Sequence, residues 1–439
     1  MESDGLSVRG TANVNAIWPR INKAATEREE PEDTSCIDLS SSENWLLRGE
    51  LIVLYKNAIR DNLLDRHLSY PDGFSGDTGL LKALVQFFNT YFRPRIPVAK
   101  EHLATAPGAA FCLDALLYNI CEADDGLLVL TPCWGGFDWL VGVKTGVQPV
   151  FVPCLSFDAI FSSEVVGSLE RALASSSRPI RGLLMTNPHN PFGQCYPTHV
   201  IQDIIKLCHK KGIHFISDEI YALSSFANPD LGDRAVPFVS ALQLDIQGMG
   251  CDLSRVHTIW SLSKDFGSSG LRMASTFIPQ RHRYSLQGCC VTQGNRRLAT
   301  GLALASNTQL SSLTAVAAAS LLTSPDLPRL IALNSERLSD AYLHMTTMLK
   351  NEGLRYIPAS MGPFLFVKIA PDAVSWDDEA EVVQSCKKAG VSVSAGRGYH
   401  VPGKEPGWAR INFAVPPEML QEAISRLTTA LCKQQPNGD

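Results

Sequence analysis

Ser261 to Arg272 read SLSKDFGSSGLR, and how the lysine within this stretch is understood decides how the rest of the chain is understood. Lys264 follows TIWSLS (258–263), which has the look of the end of a buried strand, and precedes Gly267, Gly270 and then Arg272. A lysine between a strand end and a glycine-rich turn either caps the next element and points into water, or is placed there for chemistry.

Working outward, apolar runs alternate with helical patterns. GLLVLTP (126–132), RGLLMTNP (181–188), GIHFISDE (212–219) and VHTIWSLS (256–263) read as strands. Between Ile201 and Lys211 the apolar residues recur at three- and four-residue steps, the helical period. Short apolar strands separated by helices predict an α/β fold with a mostly parallel sheet flanked by helices. In such sheets ligands collect at the carboxyl ends of the strands, and Asn190, Asp218 and Lys264 each follow one of these strands. Beyond about residue 330 a long helical stretch leads to FLFVKI (364–369) and ARINFAV (409–415), which predicts a smaller α+β unit. The expected division is a flexible arm over 1–30, a large domain over 68–328, and a small domain from 31–67 and 329–439.

Composition bounds the function. The chain has 439 residues, 45% hydrophobic and 19% charged, with a net charge of −5 and no basic block, which argues against nucleic acid or an anionic membrane as partner. No apolar run is long enough to span a bilayer, and the start MESDGLSVRG does not resemble a signal sequence. The cysteines are scattered without a CxxC pair, so no zinc site is expected; they read as reduced packing residues of a cytoplasmic protein.

The strand-end residues answer a specific chemical need. A lysine amine in a partly apolar pocket has its pKa lowered enough to form an imine with an aldehyde. A carboxylate beneath a pyridine ring keeps the ring nitrogen protonated, so that the ring becomes an electron sink. Tyr221, three residues after Asp218, is placed to donate to a phenolate oxygen on the same ring. A phosphate needs a helix start, available in APGAAF (106–111), together with hydroxyls and an arginine, available as Ser261, Ser263 and Arg272. These are the requirements of pyridoxal 5′-phosphate, with Lys264 as its Schiff-base lysine.

Six segments carry a resemblance to fold-type I pyridoxal-phosphate aminotransferases, in the group that contains 1-aminocyclopropane-1-carboxylate synthase. They are SSSENW (40–45), TPCWGGFDW (131–139), TNPHNPFG (186–193), SDEIYA (217–222), SLSKDFGSSGLR and EPGWARINFA (405–414). The resemblance implies that Asp218 meets the pyridine nitrogen, that Tyr221 and Asn190 contact the ring hydroxyl, and that Trp134 stacks on the ring. It assigns the phosphate to Gly108, Ala109, Ala110, Ser261, Ser263 and Arg272. Arg410 takes the substrate carboxylate, with Glu43 and Asn190 close to the substrate. It also implies a homodimer in which a tyrosine reaches the partner's phosphate; Phe74 stands near that position, and Tyr70 is the candidate substitute. Ala109 and Ala110 occupy places where hydroxyl residues are common in the family.

Taken singly, each residue has an ordinary alternative: a cap for Asp218, core for Trp134, a turn for Asn190, a surface cation for Arg410. His189 and His257 read as structural. The expected reaction is transamination of an α-amino acid through Schiff-base and quinonoid chemistry, with a place in secondary metabolism. The same residues serve β-elimination from a cysteine conjugate, as by carbon–sulfur lyases of epidithiodioxopiperazine pathways, and cyclopropane formation. A cofactor-binding regulator would need a DNA-binding domain, for which the roughly 40 residues before the first motif leave little room.

Overall fold

The four apolar runs expected as strands lie side by side in one sheet. The structure, a computed structural model, describes residues 5–29, 36–270, 288–307, 309–401 and 405–432. In chain order its strands are β1 (Ile37–Asp38), β2 (Leu103–Ala106), β3 (Gly126–Thr131), β4 (Gln148–Pro153), β5 (Ile180–Thr186), β6 (His214–Asp218), β7 (Val256–Ser261), β8 (Gly288–Val291), β9 (Tyr356–Ile357), β10 (Phe364–Lys368), β11 (Val391–Ser392), β12 (Ser394–Ala395) and β13 (Trp408–Asn412). A seven-stranded sheet has the order β2-β8-β7-β6-β5-β3-β4. From β4 to β7 every neighbouring pair is parallel, while β8 runs antiparallel to both β7 and β2. Every residue of β3 and β7 is buried, as strands covered by helices on both faces must be.

Local signals explain the helices around it. Thr198–Lys211 turns Val200, Ile201, Ile204, Ile205 and Cys208 inward at helical spacing. It stops where Gly212 adopts φ 68°, and the Gly212 N–H satisfies the carbonyls of Cys208 and His209. The stretch expected as a loose arm is helical from Val8 to Glu29, and the Asn13 side chain donates to the Val143 carbonyl at 2.8 Å.

A second, antiparallel sheet has the order β12-β13-β10-β9. Its apolar face packs with Leu338, Tyr342 and Met345 of the helix Leu327–Asn351. The segment before the helix Arg48–Asn62 joins the two units: Leu46 belongs to this second core, whereas Leu47, Leu51 and Tyr55 share the first core with Trp260 and Phe266. No helix among the described residues is long and apolar enough to cross a membrane.

Candidate active site

Strand register brings the candidates together. Thr186 of β5 lies opposite Asp218 of β6, and Asp218 opposite Ile259 of β7. These strands therefore end at one level, on a cavity of about 410 Å³ walled by Asn190, Asp218, Tyr221, Lys264, Trp134 and Arg410. Lys264 belongs to a single helical turn, Leu262–Asp265, that starts directly after β7. Its Nζ donates to the Ser42 carbonyl at 2.9 Å. Gly267, at φ 55°, lets the chain pass so close to SSSENW that a Cβ there would lie 1.8 Å from the Asn44 carbonyl oxygen.

Asp218 is buried, and burial pushes its carboxyl up to about 7, although the Ile220 N–H and the charge of Lys264 pull the other way. One of its oxygens, Oδ1, has no hydrogen-bond partner among the described residues. The next residue, Glu219, is buried as well but accepts from Ser217, Ser240 and the Ala241 N–H at 2.8, 2.5 and 2.8 Å. Tyr221 is buried edge-on to Phe364, and burial pushes its phenol up, so that it stays protonated and can donate.

Arg410 comes from β13 and is buried as well. It donates to Asn190 Oδ1 at 3.1 Å and to the Ser40 carbonyl at 2.8 Å, and its Nε has no partner among the described residues. The guanidinium carbon lies 5.0 Å from the ring centre of Phe364 and 5.2 Å from that of Tyr399, so two aromatic faces fix its plane. Trp134 stands edge-on to Phe137, and a Cβ on Gly136 would lie 2.3 Å from its indole. The Cys133 N–H bonds the Tyr399 carbonyl at 2.9 Å, tying the Trp134 loop to the loop beside Arg410. The helix Ala109–Ile120 starts at the cavity wall, where Ala109 and Ala110 lie, after Gly108 at φ 103°.

Glu43 also lines the cavity, with its carboxylate engaged by Ser269, by Trp45 Nε1 at 3.1 Å and by Arg48 at 2.9 Å. Burial raises its pKa, but the Ser269 and Trp45 hydrogen bonds and the Arg48 charge outweigh this and hold it below the usual carboxylate value. Ser261 and Ser263 are fully buried, with hydroxyls 2.8 Å apart, behind the Lys264 turn and off the cavity wall. Tyr70 is 86% exposed and away from the cavity. Arg272 lies outside the described residues. His189 packs against Phe192 and His257 against His214, neither of them on the cavity wall.

The sequence reading missed what backbone and distant residues bring. The Ser40 and Ser42 carbonyls meet the two cationic side chains, and no side-chain signal announces a carbonyl. Tyr399 and Phe364 flank Arg410; Phe364 opens the expected strand run FLFVKI, while nothing in the sequence patterns singled out Tyr399.

The residues present fit pyridoxal 5′-phosphate. A buried carboxylate oxygen without a partner suits a protonated ring nitrogen, and a helix start suits a phosphate. A buried guanidinium with an unpartnered Nε suits a substrate carboxylate. Comparisons with known proteins agree. A family model described as aminotransferase class I and II matches residues 34–427. A probable aminotransferase of Aspergillus oryzae, aclI, is 53% identical over 98% of this chain and 99% of its own length. The trimodular acetylaranotin synthesis protein ataIMG of Aspergillus terreus is 33% identical over 98% of this chain and 44% of its own. Among solved structures, an aspartate aminotransferase of Thermus thermophilus superposes with a TM-score of 0.74 at 20% identity, covering 98% of this chain and 100% of that one. The chain belongs to the aminotransferase class I and II family of pyridoxal 5′-phosphate enzymes.

Proposed function

We propose that this aminotransferase acts on an α-amino acid in secondary metabolism, with Lys264 as the cofactor lysine and Arg410 as the clamp on the substrate carboxylate. The observation that carries the reading is Asp218, a buried carboxylate with an unpartnered oxygen on the same cavity wall as Lys264. The likeness to an acetylaranotin synthesis protein supports the metabolic setting. Pyridoxal 5′-phosphate supplies an aldehyde that condenses with amines and a ring that takes up the electron pair released when a Cα–H bond breaks. Asp218, with Oδ1 unpartnered among the described residues, would accept a hydrogen bond from the ring nitrogen. Tyr221 would donate to the ring hydroxyl, with Asn190 as a second contact, and Trp134 would cover the ring face. The turn Gly108-Ala109-Ala110 would hold the phosphate, with Arg272 as its cation, while Ser261 and Ser263, buried off the cavity wall, brace the Lys264 turn. Lys264 Nζ, on the cavity wall, would form the link to the cofactor and, once freed, would carry the Cα proton of the substrate. Arg410, with the Phe364 and Tyr399 rings beside its guanidinium, would offer its fork to the carboxylate.

Borohydride reduction and peptide mapping test the cofactor assignment; label on any lysine other than Lys264 would sink it. The reaction is tested by incubating holoenzyme with amino acids and cysteine S-conjugates, without added ketoacid. A transaminase stops after one turnover with its cofactor in the amine form. Continuous release of pyruvate, ammonia and thiol would replace this reading with a carbon–sulfur lyase, and cyclopropane amino acid from S-adenosylmethionine with a synthase.

We also infer a homodimer. Its support is a run of exposed apolar side chains, with Leu68 85%, Tyr70 86% and Phe74 51% exposed, beyond what an isolated surface needs. Sedimentation should give about twice the chain mass of 47.9 kDa. A fully active monomer would contradict it.

A further inference from the structure

We propose that Asp265 is a positioning residue that sets the aim of Lys264 by tying its helical turn to the turn that carries Tyr221. The proposal rests on the assignment of Lys264 as the cofactor lysine. Lys264 and Asp265 are consecutive in the helical turn Leu262–Asp265, where successive side chains point about 100° apart. Lys264 lines the cavity, while Asp265 turns into the protein and is 1% exposed.

The Asp265 carboxylate is fully engaged. Oδ1 accepts from Ser224 Oγ at 2.6 Å, and Oδ2 from Trp260 Nε1 at 2.8 Å, while the Leu223 N–H also donates to the group. A buried carboxylate is tolerated where donors meet it, and these come from two different elements. Trp260 lies in β7, just before the Lys264 turn, and its indole is packed 4.5 Å from the Phe87 ring centre. Ser224 belongs to the turn after β6: its N–H bonds the Tyr221 carbonyl at 3.1 Å, and its own carbonyl accepts from Gly362 at 2.9 Å. Through Asp265 the Lys264 turn is therefore braced against its own strand on one side and against the Tyr221 turn on the other. Lys264 must deliver a proton between two atoms, and misplacement of a reacting group by about 1 Å costs on the order of 100-fold in rate. A strut at the neighbouring residue is where such misplacement is prevented.

The test begins with borohydride mapping of wild-type holoenzyme. Label on Lys264 secures the underlying assignment, and label elsewhere removes it and this proposal together. Asp265→Ala should keep the label on Lys264 but lose most of the visible circular dichroism of the bound cofactor. Its kcat should fall by about 10- to 100-fold, with KM for the amino acid within about twofold of wild type. Asp265→Asn keeps an acceptor for Trp260 and gains a donor for Ser224, and should recover most of both signals. Wild-type dichroism and kcat in Asp265→Ala would overturn the proposal, as would a loss in Asp265→Asn as large as in Asp265→Ala. If Asp265→Ala fails to fold, Ser224→Ala and Trp260→Phe each remove one strut bond. Partial loss of dichroism at an unchanged melting midpoint supports the strut, and unchanged dichroism in both overturns it.

Discussion

The paired strands β6 and β7 hold titratable groups at their amino end, and β6 another at its carboxyl end, and the two ends behave in opposite ways. At the amino end His214 and His257 stack with ring centres 5.1 Å apart and share a hydrogen bond of 2.9 Å. Burial pushes His257 down to about 3, and burial with the nearby Arg255 charge pushes His214 down to about 4, so both are neutral at pH 7. At the carboxyl end burial pushes Asp218 up to about 7. Both ends leave an atom unpartnered among the described residues, His257 Nδ1 and Asp218 Oδ1. A neutral ring nitrogen without a partner costs far less than a carboxylate oxygen, and only Asp218 faces a cavity that a ligand can fill. Glu219, equally buried beside Asp218 and likewise pushed up to about 7 by burial, differs in that three donors meet its two oxygens. A buried charge points to function where its partner is missing and space for one is present.

The comparison breaks most visibly at the carboxyl end. Lys264→Ala should abolish covalent cofactor attachment and cut kcat by about 10,000-fold, the upper range for loss of a proton-transfer group. Absorbance of the imine band and single-turnover kinetics measure both. Asp218→Asn keeps the shape but removes the charge that matches a protonated ring nitrogen; kcat should fall by about 100-fold or more while cofactor still binds. Arg410→Lys loses the fork, so KM should rise about tenfold with the cofactor spectrum unchanged, a factor equal to about 1.4 kcal/mol.

The smallest effect is also the one that separates the two ends by sign. The histidines have folded pKa values below the unfolded 6.5. Their contribution to stability is complete above pH 6.5 and is lost as pH falls toward 4 and 3. Asp218 has a folded pKa above its unfolded 3.8, so its contribution is complete below that value and is lost as pH rises through about 7. In cofactor-free protein, urea midpoints against pH should show a shallower acid loss in His257→Phe and a shallower loss toward neutrality in Asp218→Asn. Equal profiles for the two variants would remove the contrast between the ends. Bound cofactor should flatten the Asp218 limb, because a cationic partner favours the carboxylate.

Much of this was legible in the chain. Continuous apolar runs such as GLLVLT predicted strands covered on both faces, and β3, β5, β6 and β7 are those strands. Strand-end polarity pointed to Asn190, Asp218 and Lys264, which share one cavity wall. The four-residue β8 escaped notice because GCCV is too short for periodicity to speak, and its antiparallel place between β7 and β2 is set by pairing partners distant in sequence. The brace at Asp265 escaped notice too, since SKD in a sequence does not say which way the aspartate turns.

The chemistry that was possible is written locally in the chain: an amine, a carboxylate, a phenol and a guanidinium, with the short patterns that put most of them at element ends. Those are properties of side chains and of short-range periodicity, and they survive without knowledge of the fold. How the groups are held is a matter of long-range packing. The Ser42 carbonyl meets Lys264 across 222 residues of chain, and the Ser40 carbonyl meets Arg410 across 370. Contacts of that separation depend on how two cores and two sheets pack, with Leu46 in one core and Leu47 in the other, and no local pattern encodes them.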